Sequence, residues 1–293
     1  MLVFGFDLAA GAQRGPTLAE PDVARALNSP TARFLGAGTF GETWLFDDGP
    51  VPMVAKLLLD PNATAHQRRI QREIESLNRA SSHHVVHLND VRQVQLPAGP
   101  RVALIFEFID GGDVQGRIER GEWPSPAELE GFALGLLRGL AELHSKEVVH
   151  RDIKPANVAL RDGRWDQPVI LDLGLGRILD ASTITLYPAS MGTPSYMAPE
   201  VVAGERARKG SDLWSLGVML HLLGTKTHPF YPNPAERLAP DDAYDRLTAG
   251  LLASPAPVPA PLNGIICRLL EVEVHRRGSA HRSLTELLEG QRR

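Results

Sequence analysis

Cysteine is almost absent from this chain of 293 residues, in which Cys267 stands alone. A lone cysteine cannot close an internal disulfide, so a disulfide-stabilised secreted scaffold is excluded and a reducing compartment is expected. Long apolar runs are missing too, since no stretch approaches the roughly 18 consecutive apolar residues of a membrane-spanning helix. The apolar start at residues 1–8 carries Asp7 without a basic flank, which is unlike a signal peptide. We therefore expect a cytoplasmic protein without a membrane partner.

An excess of either charge is lacking as well: 31 Lys and Arg face 35 Asp and Glu, and the formal net charge is −4. Without a basic excess, nucleic acid is not expected as a partner, and without a charge block there is no sign of a charged tail. What is present is ordinary globular composition, 43% hydrophobic and 23% charged. The chain is long enough for one large domain or for two lobes around a cleft.

The order of the predicted elements indicates two unequal lobes. Strand patterns with glycine-containing turns dominate the first third of the chain, and helical patterns dominate the rest. This order predicts an α+β fold with a small β-rich N-terminal lobe and a larger helical C-terminal lobe. The predicted strands cover 33–56 (three strands), 102–109, 158–160 and 169–171, and the predicted helices cover 22–27, 66–79, 125–145, 211–223, 241–252, 262–270 and 283–289.

We divide the chain into an N-terminal extension over 1–30 and a main domain over 31–293, with an N-lobe at 31–109 and a hinge and C-lobe at 110–293. The extension contains glycines and prolines, but five apolar side chains near its start form a cluster too large to leave in water. These five predict that the extension packs on the main domain, and a freely trailing segment is the alternative. They are Leu2, Val3, Phe4, Phe6 and Leu8.

A glycine-rich run, GAGTFG, occupies residues 36–41. Glycines at this spacing let backbone N–H groups approach phosphate oxygens without an intervening side chain. Glycine-rich hairpins are common, so the run alone is a weak signal. A dinucleotide-binding fold would continue into a helix, whereas residues 42–46 alternate as a strand. The pattern therefore favours a flap over phosphates, formed by Gly36, Ala37, Gly38 and Gly41.

A lysine, Lys56, lies within an apolar strand pattern. Burying a lysine is costly unless an anion meets it, so the position indicates a phosphate or carboxylate partner. The alternative is a lysine that extends to solvent from an edge strand. Glu73, on the next predicted helix, has the spacing expected of a fixed partner, and Glu75 is its rival.

The most informative segment is HRDIKPAN at 150–157, followed by DLG at 172–174. Phosphoryl transfer depends on positioning, metal ions and charge neutralisation. Asp152 can orient an attacking hydroxyl and accept its proton, and Lys154 can neutralise the moving phosphoryl group. Asn157 and Asp172 offer the oxygen ligands that Mg²⁺ prefers. Polar residues that merely cap turns would not be expected to supply all four at these offsets.

These residues resemble the eukaryotic-type (Hanks-type) protein kinase family from about residue 33 to the C-terminus. The resemblance implies ATP and Mg²⁺ as cofactors. It also implies that the residues named above form the phosphate-binding flap, the phosphate-binding lysine, the catalytic base and the metal ligands. It also matches 198–200 (APE) to the end of the activation segment, Asp212 to the helix that supports the catalytic loop, and Arg277 to the arginine that pairs with Glu200. The frequent Ala, Leu, Arg and Pro residues are typical of a GC-rich bacterial genome.

The resemblance implies an adenine site as well. Phe106 takes the gatekeeper position, although it also suits the core, and the backbones of Glu107 and Ile109 are expected to hydrogen-bond adenine. Asp113 is expected to reach the ribose. Three further residues, Thr43, Val54 and Ala159, are expected to line the adenine faces. Thr43 and Val54 depart from the family's usual valine and alanine, Leu173 replaces its usual phenylalanine, and Val54 and Ala159 can compensate each other in volume.

The acceptor is expected to be a Ser or Thr hydroxyl of a protein, because Lys154 and the GTPSY run at 192–196 resemble the Ser/Thr type. Thr193 is expected to hydrogen-bond toward Asp152 and Lys154. A pseudokinase scaffold commonly lacks the lysine, base or metal aspartate that this chain keeps. A small-molecule kinase normally lacks the APE segment.

We also expect the chain to phosphorylate itself, with Thr185 as the first candidate site and Thr183 as the second, near Arg151 and Arg177. In the alternative, Arg151 pairs with Asp180 and no phosphate is needed. An unidentified regulator is expected.

Overall fold

The computed structural model describes residues 15–38, 41–58, 82–172, 194–231, 240–249, 260 and 262–291. Within these residues no helix is long and apolar enough to cross a membrane. The N-terminal part is a five-stranded antiparallel sheet preceded by one short helix, and helices dominate the rest, as the sequence predicts. The sheet order is β1-β2-β3-β5-β4. Its strands are β1 (Ala32–Gly38), β2 (Gly41–Asp48), β3 (Val51–Leu58), β4 (Leu88–Leu96) and β5 (Gly99–Glu107), and the helix is α1 (Glu20–Ala26).

The C-terminal part combines seven described helices with a two-stranded sheet. The predicted helices at 125–145, 211–223, 262–270 and 283–289 are confirmed with small shifts of their ends, and the helix predicted to begin at 241 begins at Pro240. The elements are α2 (Val114–Glu119), α3 (Pro126–Ser145), β6 (Val158–Leu160), β7 (Pro168–Ile170), α4 (Pro199–Val202), α5 (Lys209–Thr225), α6 (Pro240–Thr248), α7 (Leu262–Leu269) and α8 (Ala280–Gly290).

Strand β3 lies in the middle of the five-stranded sheet. The alternative of an edge strand for Lys56 is therefore wrong, and its side chain is only 3% exposed. The faces of the sheet follow from the register: Thr43 pairs with Lys56, and Leu45 pairs with Val54. Because directly paired residues point to the same face, all four share the face toward the cleft.

The opposite, outer face of the sheet is apolar and carries Trp44 and Phe46 of β2. Helix α1 packs on this face through Val23 and Leu27. Part of the extension therefore packs on the main domain through α1. The five apolar residues from which packing was predicted, at 2–8, lie outside the described ranges, so that prediction stays a prediction. The apolar cover explains why the outer face does not alternate with polar residues as a solvated sheet would.

Helix α3 illustrates how local sequence positions the larger lobe. Ser125 caps its N-terminus, and Glu128 completes the capping box. Gly135 and Gly139 allow close approach to neighbouring chain, since a Cβ at Gly139 would lie 2.9 Å from the carbonyl oxygen of His84. Helix α3 therefore packs directly beneath β7, the strand that leads into Asp172.

Candidate active site

A cleft with an empty volume of about 380 Å³ opens between the sheet and the helical part. Six of the residues predicted for nucleotide binding, catalysis or metal binding line it, together with Val86 and Leu171, which the sequence interpretation did not assign to the site. Leu171 directly precedes Asp172, which was the available signal, whereas Val86 reaches the cleft through tertiary contacts. The six predicted residues are Val54, Lys56, Phe106, Glu107, Ile109 and Asp172.

The predicted flap is the connection between β1 and β2. Gly36, Ala37 and Gly38 lie on β1, and Gly38 pairs with Gly41 at the start of β2. A Cβ at Gly41 would lie 2.2 Å from the carbonyl oxygen of Leu57, so only glycine fits there. Residues 39 and 40 lie outside the described ranges. The glycine pattern thus serves the packing of β2 on β3 in addition to any contact with phosphate.

Lys56 contacts the predicted metal ligand Asp172 across the cleft, with 2.5 Å between Nζ and Oδ1. Burial by itself would raise the pKa of the Asp172 carboxyl, but the Lys56 ammonium outweighs it and the pKa lies below its usual range. Asp172 also has a positive φ of 56°, an uncommon conformation for a residue other than glycine. Glu73, the other predicted partner of Lys56, lies outside the described residues, as does its rival Glu75.

Asp152, Lys154 and Asn157 form a second polar group on the loop that adjoins Leu171 and Asp172. Asn157 Nδ2 donates to the Asp152 side chain at 2.8 Å and to its carbonyl oxygen at 2.7 Å. The Lys154 ammonium lies 3.0 Å from Asp152 Oδ2, and the Asp152 side chain is 55% exposed. Because the amide nitrogen of Asn157 faces Asp152, its amide oxygen is directed away and can serve as a ligand.

The buried side chain of Asp212, on α5, holds this loop from below. It accepts hydrogen bonds from the backbone N–H groups of His150 and Arg151 at 2.9 and 2.8 Å, and it contacts His144 Nε2 at 2.8 Å. The supporting role implied by the resemblance is matched by this geometry. His144 was missed because nothing in the apolar pattern of α3 marks its last turn as part of a network.

His150 connects the loop to the residue before Asp172. Its Nδ1 accepts from the backbone N–H of Asp152 at 3.3 Å, so its Nε2 carries the hydrogen donated to the Leu171 carbonyl at 2.7 Å. The predicted base and the predicted metal ligand are therefore fixed relative to each other through one imidazole.

The predicted adenine and ribose contacts occupy the connection between the lobes. The Glu107 N–H donates to the His87 carbonyl at 3.0 Å, and the Glu107 side chain accepts from Arg161 at 2.9 Å. Asp113 caps α2 by accepting from Gly116 N–H at 2.7 Å, and burial raises the pKa of its carboxyl to about 6.

Around the rest of the cleft, Ala159 of β6 is fully buried and pairs with Asp113. The buried hydroxyl of Thr43 has no hydrogen-bond partner within the described part of the chain. Phe106 is 7% exposed and belongs to the core while lining the cleft, so both interpretations of this residue hold.

Two further predicted features lie beyond the cleft. Arg277 forms a bidentate ion pair with Glu200, at 2.8 and 2.9 Å, in agreement with the resemblance. The segment that follows Thr193 is fixed by side chains, because Ser215 donates to the Tyr196 carbonyl and His228 Nε2 donates to the Ser195 carbonyl. Thr193 itself, Leu173 and the expected phosphorylation sites lie outside the described residues.

The family is identified by comparison with known proteins. The model of the protein kinase domain matches residues 30–288. The chain belongs to the protein kinase family. Similar proteins include the "Probable serine/threonine-protein kinase PkwA" of Thermomonospora curvata, 34% identical over 200 residues, which are 67% of this chain and 26% of that protein. The serine/threonine-protein kinase pkn2 of Myxococcus xanthus is 29% identical over 275 residues, 87% of this chain and 31% of that protein.

A third relative is the serine/threonine-protein kinase PkaB of Streptomyces coelicolor, 30% identical over 206 residues. This match covers 68% of the present chain and 48% of PkaB. The kinase chain therefore spans less than half of the length of these three relatives. The names of all three specify the serine/threonine type and support the acceptor class expected from the sequence.

Proposed function

We propose that this kinase chain transfers the γ-phosphoryl group of ATP to Ser and Thr hydroxyls of protein substrates. The observation that carries the proposal is the arrangement of two polar groups beside one cleft. Lys56 meets Asp172 across the cleft. Asp152 meets Lys154 and Asn157 on the adjoining loop, where the Asn157 carbonyl accepts a hydrogen bond from the N–H of Leu171, the residue before Asp172. Phosphoryl transfer needs this combination of a positioned base, fixed cations and oxygen ligands.

In the proposed reaction the acceptor hydroxyl attacks the γ-phosphorus, and its proton passes to Asp152. The bond between the γ-phosphorus and the β–γ bridging oxygen breaks, and ADP leaves with that electron pair. The exposure of the Asp152 side chain suits contact with a protein substrate. Lys154 neutralises charge on the transferred group and Lys56 on the remaining phosphates, with Glu73 proposed to orient Lys56.

The metal ligands in this proposal are Asn157 and Asp172. Each has an oxygen that its contacts leave available: the Asn157 amide oxygen is turned away from Asp152, and Asp172 uses Oδ1 for Lys56. Two protein oxygens suit Mg²⁺, which takes most of its remaining ligands from phosphates and water. When bound, the ion supplies neutralisation of phosphate charge.

The nucleotide contacts follow the same proposal. Because the N–H of Glu107 is engaged by His87, its carbonyl oxygen is the group left for adenine, and the N–H of Ile109 is the matching donor. Phe106 closes the back of the cleft and Asp113 binds the ribose. The flap glycines enclose the phosphates, and Thr43, Val54 and Ala159 line the adenine faces.

We further propose that Thr193 hydrogen-bonds toward Asp152. The chain is also proposed to phosphorylate its own activation segment, with Thr185 as the first candidate site and Thr183 as the second. A reducing, cytoplasmic location and an unidentified regulator belong to the same proposal. The lone cysteine supports the location. Proteins are proposed as its substrates because the chain belongs to the protein kinase family.

The two alternative functions are a pseudokinase scaffold and a kinase of small amines. The retained lysine, base and metal aspartate speak against the first, and the Glu200–Arg277 pair, which anchors the APE segment, speaks against the second. The experiment is a transfer assay with γ-labelled ATP and Mg²⁺ against a basic protein, casein, choline and an aminoglycoside. The proposal expects label on protein Ser and Thr; label only on the small amines, or ATP binding without transfer, would select an alternative.

A further inference from the structure

Residues 17–31, here called the N-terminal strap, run along the outer face of β2 and are fastened near both of its ends. At the flap end, the backbone N–H and the hydroxyl of Thr17 both donate to Glu42 Oε1, each at 2.5 Å. At the other end, the Asp47 N–H donates to the Ser29 hydroxyl at 3.1 Å, and the Thr31 hydroxyl donates to Asp47 at 3.3 Å.

Between these two attachments the strap is held by apolar packing. Val23 and Leu27 of α1 are buried in the cluster that contains Trp44 and Phe46. The strap is therefore anchored independently of Thr17, and loss of one hydrogen bond at its start need not detach it.

Glu42 is a carboxyl group with no exposed surface. Besides the two donors of Thr17, the indole N–H of Trp44 donates to its Oε2 at 3.2 Å. Within the described residues it makes no ion pair with a lysine or arginine. A buried carboxyl group is costly unless its oxygens are satisfied, so two of its three hydrogen bonds depend on Thr17.

The position of Glu42 connects the strap to the cleft. It follows Gly41, whose backbone lies against the Leu57 carbonyl, and precedes Thr43, which faces the cleft opposite Lys56. If the carboxyl group of Glu42 turned outward to regain hydrogen bonds from water, the backbone on both sides would have to move. The flap would then lose its fixed base.

We propose that Thr17 is a positioning residue for the nucleotide: through Glu42 it holds the flap over the ATP phosphates. This rests on the proposed function, in which the flap glycines bind those phosphates. Thr17 and α1 precede residue 30, where the match to the protein kinase domain begins.

The test measures binding of Mg-ATP to the full chain by calorimetry, so that it does not depend on transfer. Thr17→Val removes the hydroxyl and keeps the shape, Thr17→Ser restores the hydroxyl, and Thr31→Val removes a similar bond at the far end. We expect Thr17→Val to weaken binding about three- to tenfold, which corresponds to the loss of one ordinary hydrogen bond. The other two variants should stay within about twofold of the parent, and all three should keep its peptide KM. Thr17→Val should also lower the melting temperature, because a buried carboxyl group loses one donor, so affinity is measured well below the melting temperature of every variant.

Equal affinity of Thr17→Val and the parent would overturn the proposal, and so would a loss of affinity that Thr31→Val reproduces. If Thr17→Val does not fold, Thr17→Ala replaces it, and failure of both to fold assigns Thr17 a purely structural role. A parent chain that does not bind Mg-ATP would instead contradict the proposed function.

Discussion

At the scale of single residues, the site pairs oppositely charged side chains, and the buried ammonium of Lys56 is acceptable only as part of such a pair. Lys56 is almost fully buried and meets Asp172, whose side chain is 24% exposed. Lys154 meets the more exposed Asp152. An amine inside an apolar strand is retained only where an anion faces it, which is why the sequence alone could assign Lys56 to the site.

Replacement of Lys56 by methionine should reduce kcat/KM by a factor on the order of 10²–10³, because a fixed cation toward the phosphates is lost. The fold should persist, since methionine suits the apolar surroundings and Asp172 keeps access to water. Transfer from γ-labelled ATP measures the rate, and Lys209→Met, which breaks an exposed ion pair with Glu147 at 2.7 Å, is the matched control. Retention of parental turnover by Lys56→Met would contradict the assignment.

Asp113 gives a prediction of pH dependence. Burial raises the pKa of its carboxyl to about 6 in the folded chain, whereas the unfolded value is about 3.9. The folded state therefore holds this proton more tightly, and the contribution to stability is lost as the pH rises through about 6. Asp113→Asn removes this penalty and still caps α2, because asparagine is an equally good N-cap.

The expected result is that Asp113→Asn gains stability relative to the parent between pH 4 and 6, by on the order of 1–3 kcal/mol, and that the difference is constant above this range. Urea unfolding at pH 4.5 and 7.5 measures it. The same difference at both pH values would show that the carboxyl group is not held in its neutral form by burial.

The proximity of the candidate site residues was predictable where they lie close together in sequence. Asp152, Lys154 and Asn157 lie within one short loop, and the structure brings their side chains into contact. His144 and Val86 could not be found in this way, because each reaches the site through packing between elements far apart in sequence.

At the scale of elements, the ion pair between Arg277 and Glu200 joins α4 to the chain before α8. Every N–H of the guanidinium has an acceptor: both Glu200 oxygens and the carbonyls of Gly210, Glu271 and Val272, at 2.7–3.0 Å. Arg277 has no exposed surface. A planar group with five donors fits this set of acceptors, and a lysine ammonium does not.

Arg277→Lys should therefore lower the free energy of unfolding by about 3 kcal/mol, because buried acceptors and a carboxylate lose their partners. Chemical denaturation measures the change. Arg276→Lys, at an exposed residue 4.0 Å from Glu271, is the control and should have almost no effect. Equal stabilities of the two variants would refute the structural role.

The activation segment supplies another prediction at this scale. Incubation with ATP and Mg²⁺ should place phosphate on Thr185, or on Thr183, since a phosphate can accept bidentate hydrogen bonds from arginines, and Arg151 and Arg177 are the proposed pair. Mass spectrometry of the parent beside a Thr183→Ala/Thr185→Ala variant checks this. An unmodified segment in an active enzyme, or full activity of the double variant, would exclude it.

Elements were predictable when one pattern dominated them. The capping box and the long apolar face specify α3. Strand β4 was missed because it lies at the edge of the sheet and has a largely polar sequence, LNDVRQVQL. The short helices α2 and α4 were missed because their few residues show no period and depend on tertiary packing.

At the scale of the whole molecule, the two lobes follow from the order of strands and helices, but their connection does not. Gly111 packs so closely that a Cβ there would lie 1.9 Å from the Leu160 carbonyl oxygen, and Arg161 reaches across to Glu107. The covering of the outer face by α1 was equally hidden, since the partner of an apolar face cannot be read from the face alone.

The central claim is that this chain transfers phosphate to protein Ser and Thr with Asp152 as the base. The most direct measurement is phosphoamino acid analysis of a protein substrate after incubation with γ-labelled ATP, Mg²⁺ and either the parent chain or Asp152→Asn. Mg-ATP affinity is measured in parallel. We predict phosphoserine and phosphothreonine with the parent, a loss on the order of 10²–10⁴ in rate with Asp152→Asn, and retained ATP affinity. Equal labelling by both chains, no labelling by either, or phosphotyrosine alone would contradict the claim.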